Sequence, residues 1–131
     1  MLSTEAACKG ESPMAQVYEE FQQELEGSKA ILTALLLNLP KFQQNWQKVE
    51  AIFNQRVITL SGEDLEPQAF SRWQSLQTEI HREMKLLSTE LRFWQLRSQG
   101  HNWEKRREKA IARLDTIIAL TKCNLMSKMN N

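Results

Sequence analysis

The sequence predicts an all-α fold, an antiparallel four-helix bundle with a long third helix. Three observations carry that prediction. Large apolar residues recur at steps of three and four along nearly the whole chain, which is the helical period. Glycine and proline are scarce, four and three in 131 residues, and Pro40, Pro67 and Gly100 fall where the periodic pattern breaks. The remainder is rich in Gln, Glu, Leu, Lys and Arg, which lose little freedom on entering a helix.

Residues 1–11 show no periodicity and are expected to form a mobile N-terminal tail. Residues 12–127 are expected to form one helical domain, long enough to bury a core without metal or disulfide. Residues 128–131 are expected to fray. Ser12-Pro13 is a helix start, a capping hydroxyl followed by a residue that needs no amide hydrogen. From there Met14, Tyr18, Phe21, Leu25, Ser28, Leu32, Leu35 and Leu39 alternate steps of four and three, a heptad-like seam. It predicts a first helix over 13–38. Gly27 lies inside it at a cost of about 1 kcal/mol relative to Ala, without shifting its phase.

Pro40 ends the run and disfavours helical backbone at Leu39. The pattern restarts with Phe42, Trp46, Val49, Phe53, Val57 and Leu60, predicting a second helix over 41–60. Its last turn is weakened by the β-branched run Val57-Ile58-Thr59. Residues 61–66 (SGEDLE) read as a loop that delivers Pro67 to the start of the third helix, 67–98. That helix carries Trp73, Leu76, Ile80, Met84, Leu87, Leu91 and Trp94 in one stripe. At 1.5 Å per residue it is on the order of 45 Å long, and is expected to overhang its neighbours or to form the spine of the bundle. Gly100, His101 and Asn102 form the next break. The fourth helix, 103–126, places Trp103, Ile111, Leu114, Ile118 and Leu125 on one side. Short connections make sequential helices antiparallel neighbours.

The net charge of +1 hides an uneven distribution. Residues 1–66 hold ten acids against five bases, and residues 67–131 hold six acids against twelve bases. The halves either attract each other across the bundle or leave a basic face for an acidic partner. Cys8 and Cys123 have no metal-ligand spacing and read as unpaired thiols of a reducing compartment. No signal-peptide pattern and no apolar run of membrane length occurs, so the expected location is the cytoplasm and no membrane contact is expected. Gly-rich phosphate loops, nucleophile elbows and HExxH patterns are also missing. Glu79 and Glu83 flank His81 in a way that suggests a di-metal bundle. Such sites repeat Glu-x-x-His on facing helices, and no second copy exists, so neither metal nor cofactor is expected. His81 and His101 read as surface and turn residues, and the four tryptophans as core.

Two surfaces remain as candidates for function. Lys105, Arg106, Arg107, Lys109 and Arg113 crowd the first turns of the fourth helix, where the macrodipole disfavours cations. They need compensation, from acids of the same chain such as Glu63, Asp64 or Glu104, or from an acidic protein partner. Nucleic acid is the weaker alternative, because the cluster is short and the net charge near zero. The second surface is Leu86 and Phe93, seven apart and off the main stripe, with Arg82 and Arg97 nearby. Either a central helix buries two faces within its bundle, or this is a patch for a homodimer or another protein.

The stretch from Leu65 to about Ser98 resembles the core of the PatD family, small cyanobacterial proteins named for control of heterocyst frequency. The match is most specific at Arg72-Trp73-Gln74-Ser75-Leu76-Gln77-Thr78-Glu79-Ile80, followed by the Lys-Leu-Leu step at 85–87 and an aromatic at Phe93. It covers about a quarter of the chain. The resemblance implies a non-enzymatic regulator of cell differentiation and division that acts by protein contact, with the tubulin-like division protein FtsZ as the protein whose assembly it modulates. It implies no catalytic residues. The alternatives are a nucleic-acid-binding helical protein using the 105–113 cluster, or a helical interaction module with another partner. Whatever the partner, Leu87 is expected in the core. Leu87→Ala should cost about 2–5 kcal/mol, through lost transfer energy plus a cavity, read as a lower denaturation midpoint.

Overall fold

An amphipathic helix is stable only when its apolar stripe is covered by another, and four such stripes satisfy one another here. The computed structural model describes residues 13–34, 38–96 and 103–129. They form α1 (Pro13–Thr33), α2 (Leu39–Ile52, running on into a π-helical turn at Phe53–Val57), α3 (Pro67–Leu96) and α4 (Trp103–Met129), with no strand among the described residues. Cross-links between elements give their directions. Asn45 reaches back to Glu24 and Ser28, while Arg56 pairs with Glu20. Glu50 meets Ser88 while Val57 meets Gln77. Lys29 pairs with Asp115 at 2.6 Å while Tyr18 meets Asn124. In each pair one index falls as the other rises, as it does between α3 and α4, where Glu83 meets Arg113 and Glu90 meets Lys109, so every neighbouring pair is antiparallel. Among the described residues the chain is an all-α, up-down-up-down four-helix bundle, with α3 the longest of the described helices.

The helix ends depart from expectation in instructive ways. α1 stops at Thr33 rather than 38, and Leu35 of the predicted seam lies outside the described residues. Leu39 belongs to α2 instead. Asn38 caps that helix by accepting from the Lys41 amide at 3.1 Å, and Pro40 sits in its first turn, where no amide hydrogen is needed. Pro40 therefore helps to start a helix rather than end one. α4 continues to Met129, past the fraying expected from 128. The expected tail 1–11 and the last residues of the predicted third helix, 97 and 98, lie outside the described residues. α1 runs unbroken through Gly27, where a Cβ would lie 3.6 Å from the Asn45 side chain, ordinary contact.

The end of α2 widens into the π turn, closed by the Ile58 amide donating to the Phe53 carbonyl at 2.9 Å. Val49, Phe53 and Val57 are spaced by two consecutive steps of four, which in a 3.6-residue helix drift round the axis. The wider turn cancels the drift and keeps all three buried. The following loop turns on Gly62, whose φ of 66° is left-handed. A Cβ there would stand 2.8 Å from the Trp73 ring, so this position needs glycine for both conformation and space.

The core contains the predicted seams. Tyr18, Phe21, Leu25 and Leu32 of α1, Phe42, Trp46 and Val49 of α2, Ile80, Met84, Leu87 and Leu91 of α3, and Leu114 of α4 are buried. α3 is not a central spine, because α1 and α4 are each flanked by two helices at close backbone range, whereas the backbone of α3 approaches only α4. No Cα of α2 lies within 8 Å of one in α3. That seam is closed by contacts that each draw on at least one side chain. In α4 the buried line runs through Ala110, Leu114, Ile117, Thr121 and Asn124, with Ile118 beside it. Ile111 and Leu125, expected in the core, are only partly buried.

One hydroxyl ties the four helices together. Tyr18 of α1 accepts from Trp73 Nε1 at 2.7 Å and from Asn124 Nδ2 at 3.1 Å, and donates to Gln77 Oε1 at 2.6 Å. Gln77 Nε2 then donates to the Val57 carbonyl at 2.7 Å, at the end of the π turn. Burial pushes the phenol well above its usual pKa, against the opposing effect of the Trp73 and Asn124 hydrogen bonds. Tyr18→Phe should cost about 1–3 kcal/mol, because it strands buried donors that nothing else satisfies. The raised pKa also sets a pH dependence. The unfolded chain releases the tyrosine proton near pH 10 while the folded chain retains it, so stability present below about pH 10 falls as pH rises further. Denaturant titrations between pH 8 and 11 should show a shallower decline for Tyr18→Phe than for the parent.

Candidate functional site

The basic cluster of α4 is largely committed within the chain. Arg113 donates from Nε to Glu90 at 2.8 Å and from Nη1 to Glu83 at 2.9 Å. These bonds, that to Glu90 first, raise its pKa and keep it charged. Lys109 Nζ lies 3.5 Å from Glu90. Arg107 donates from Nε to the Leu32 carbonyl at 2.5 Å and from Nη2 to that of Ala34. Antiparallel packing sets the C-terminal end of α1 beside the start of α4, and the free carbonyls of that end are the compensation a base there requires. The compensating acids are Glu83 and Glu90, not the expected Glu63, Asp64 or Glu104. Among the described residues, Lys105 and Arg106 make no ion pair or hydrogen bond.

In the sequence Glu83 stands apart only as one of the two carboxylates that flank His81. It is buried, it anchors Arg113, and Arg82 approaches it at 3.7 Å. Glu79 stays exposed. The two carboxylates therefore do not act together, and among the described residues no three His, Cys, Asp or Glu side chains could hold a metal. His81 stands edge-on to Phe53 at 5.6 Å, half-buried rather than fully solvated. Trp46 and Trp73 are core residues, whereas the side chains of Trp94 and Trp103, and all of His101 and Cys8, lie outside the described residues. Cys123 is an exposed free thiol. No described helix is long and apolar enough to cross a membrane.

Leu86 and Phe93 are 39 % and 55 % exposed. α3 therefore does not bury two faces within its own bundle. Arg82 lies on the same face and Arg97 falls outside the described residues. The register set by Lys109 against Glu90 places Arg106, one turn earlier in α4, level with Phe93. The two candidate surfaces thus meet along the α3–α4 edge. Two clefts mark the opposite edge of α3, where α2 stands off. One, of about 290 Å³, is bounded by Phe53, Ile58, Phe70, Trp73 and His81. The other, of about 200 Å³, is bounded by Trp46, Glu50, Ser88 and Arg92, and the buried Trp46 Nε1 has no hydrogen-bond partner.

The geometry separates the bases by role. Arg113→Ala should cost about 1–3 kcal/mol by leaving the buried Glu83 carboxylate without its donor. Lys105→Ala should move the denaturation midpoint by no more than about 0.5 kcal/mol. Equal effects would place Arg113 among the solvated charges. Compared with known proteins, the chain matches no family model, no curated protein and no solved structure.

Proposed function

We propose that this chain is a non-enzymatic regulator that acts by protein contact, a heterocyst-frequency control protein of the PatD type that modulates assembly of FtsZ. The observation that carries the contact reading is the pair Leu86 and Phe93, two large apolar side chains in line on one helix and open to solvent. Such a pair serves no purpose in the bundle's own core, and exposed apolar side chains bordered by charge are how helical proteins engage others. The PatD-like stretch supports the family reading, because it coincides with α3, the helix that bears the pair. Lys105, Arg106 and Lys109, at the neighbouring start of α4, supply charge to steer an acidic partner.

Nucleic acid binding through the 105–113 cluster is the second reading. It is weakened by the engagement of Arg107 and Arg113 within the chain, which leaves few bases for phosphate. The two readings separate in one experiment. FtsZ assembly, followed by light scattering with and without this protein, should change in extent or rate, and Leu86→Gln with Phe93→Gln should abolish the change. An assembly curve insensitive to the protein removes FtsZ as the target. Binding to a DNA duplex that falls steeply with salt would install the second reading in its place.

A further inference from the structure

The outer face of α3 is basic as well as apolar. Between Arg82 and Phe93 its exposed residues are Arg82, Lys85, Leu86, Thr89, Arg92 and Phe93. Glu79, the one exposed acid of the described helix, is engaged by Arg82 at 3.7 Å. Glu83 and Glu90 are turned into the α3–α4 seam and held there by Arg113 and Lys109. Internal pairing thus strips the face of its negative charge. Leu86 and Phe93 are in line along the axis, and Arg82 and Thr89 fall on the same strip. Lys85 and Arg92 stand about a quarter-turn round toward α2, where Arg92 borders the smaller cleft. Lys109, 67 % exposed, and Arg106 border the strip on the α4 side. The apolar pair is therefore flanked by bases on both sides.

Resting on the reading that the chain acts by protein contact, we propose that this face receives an acidic amphipathic helix of another protein, laid along α3. A second copy is disfavoured, because pairing the face with itself sets Arg82, Lys85 and Arg92 against the same three bases, and like charges across an interface oppose association. Two partly exposed side chains are also a small apolar patch beside the roughly 1,200–2,000 Å² that stable interfaces bury. Opposite charge must supply the balance. The described residues offer an extended segment no sheet edge to join, so recognition falls to side chains in the ridges and grooves of α3 and α4. Leu86 and Phe93 are separated by about 10 Å along the axis, two helical turns. Apolar anchors seven residues apart on a partner helix match that separation, with Asp or Glu on either side of them meeting both basic flanks.

The test uses the full chain and two synthetic helical peptides of about 18 residues, some five turns. Both carry leucines two turns apart, one with glutamates flanking the leucines and the other with lysines in their place. Titration calorimetry should detect the glutamate peptide and not the lysine peptide. Leu86→Gln with Phe93→Gln should weaken binding about tenfold, as loss of a central anchor does. Lys85→Glu with Arg92→Glu should weaken it and flatten its dependence on salt between roughly 50 and 200 mM. All four substitutions fall on exposed positions, and circular dichroism checks the fold; if a variant fails to fold, the comparison of the two peptides on the parent chain decides. Equal binding of the two peptides, or no binding of the glutamate peptide, overturns the proposal. Sedimentation showing a dimer that the Leu86–Phe93 variant abolishes overturns it in favour of a second copy. Failure of FtsZ to respond, with the glutamate peptide still bound at this face, would remove the partner named above and leave the surface.

Discussion

The bundle is organised round the Tyr18 hydroxyl. A buried phenol can accept twice and donate once, and Tyr18 uses all three capacities, with Trp73, Asn124 and Gln77. Each partner fixes something else. Trp73 is the surface on which Gly62 lies, so the turn out of α2 is shaped against a ring whose orientation the tyrosine sets. Gln77 passes the connection to the Val57 carbonyl, which also accepts from the Leu60 amide. Asn124 brings in α4. The register of three helices relative to the first is thus tied to one oxygen, and apolar side chains, which tolerate sliding, fill the space around it.

Electrostatics plays a different part at each seam. Lys29–Asp115 and Arg56–Glu20 join α1 to its neighbours through exposed pairs, which contribute little to stability. Arg113 between Glu83 and Glu90 is partly sheltered, and there loss of one member leaves the others exposed to desolvation. The negative first half and positive second half of the sequence do not simply attract as blocks. The most sheltered ion pairs lie within the second half, between α3 and α4, and the excess bases of α3 remain outside.

Fold class and helix order were legible because steps of three and four report a stripe directly, and because Pro67 and Gly100 interrupt it. The phase of α4 was not, since Thr121 and Asn124 are buried polar residues that a count of apolar side chains passes over. Thr121 satisfies its hydroxyl on the Ile117 carbonyl at 2.7 Å, and Asn124 gives its amide to Tyr18. Neither bond has a signature in local sequence, because the partner of Asn124 is 106 residues away. Pro40 is ambiguous in sequence because proline serves helix starts as well as helix ends, and the capping side chain of Asn38 decides for a start. The π turn could have been suspected from two consecutive steps of four at Val49, Phe53 and Val57. Of the candidate surfaces, Leu86 and Phe93 were visible as a departure from the main stripe. The occupation of Arg107 and Arg113 was not, since it depends on which helix lies beside α4.

The separation between α2 and α3 bears on how the molecule comes apart. α1 and α2, α1 and α4, and α4 and α3 are joined at backbone range, whereas α2 meets α3 through the bond of Gln77 to Val57, the bond of Ser88 to Glu50, the contact of His81 with Phe53 and packing in the shared core. α2 itself is anchored to α1 and by its buried Phe42, Trp46, Val49, Phe53 and Val57, so its release would sacrifice a large share of the core. α2 is therefore a full wall of the bundle, seated on α1 along its backbone and facing α3 across a wider, side-chain-filled gap. Its amide hydrogens accordingly exchange only at a free energy near that of global unfolding, and the wide gap to α3 is a feature of shape rather than a weak point.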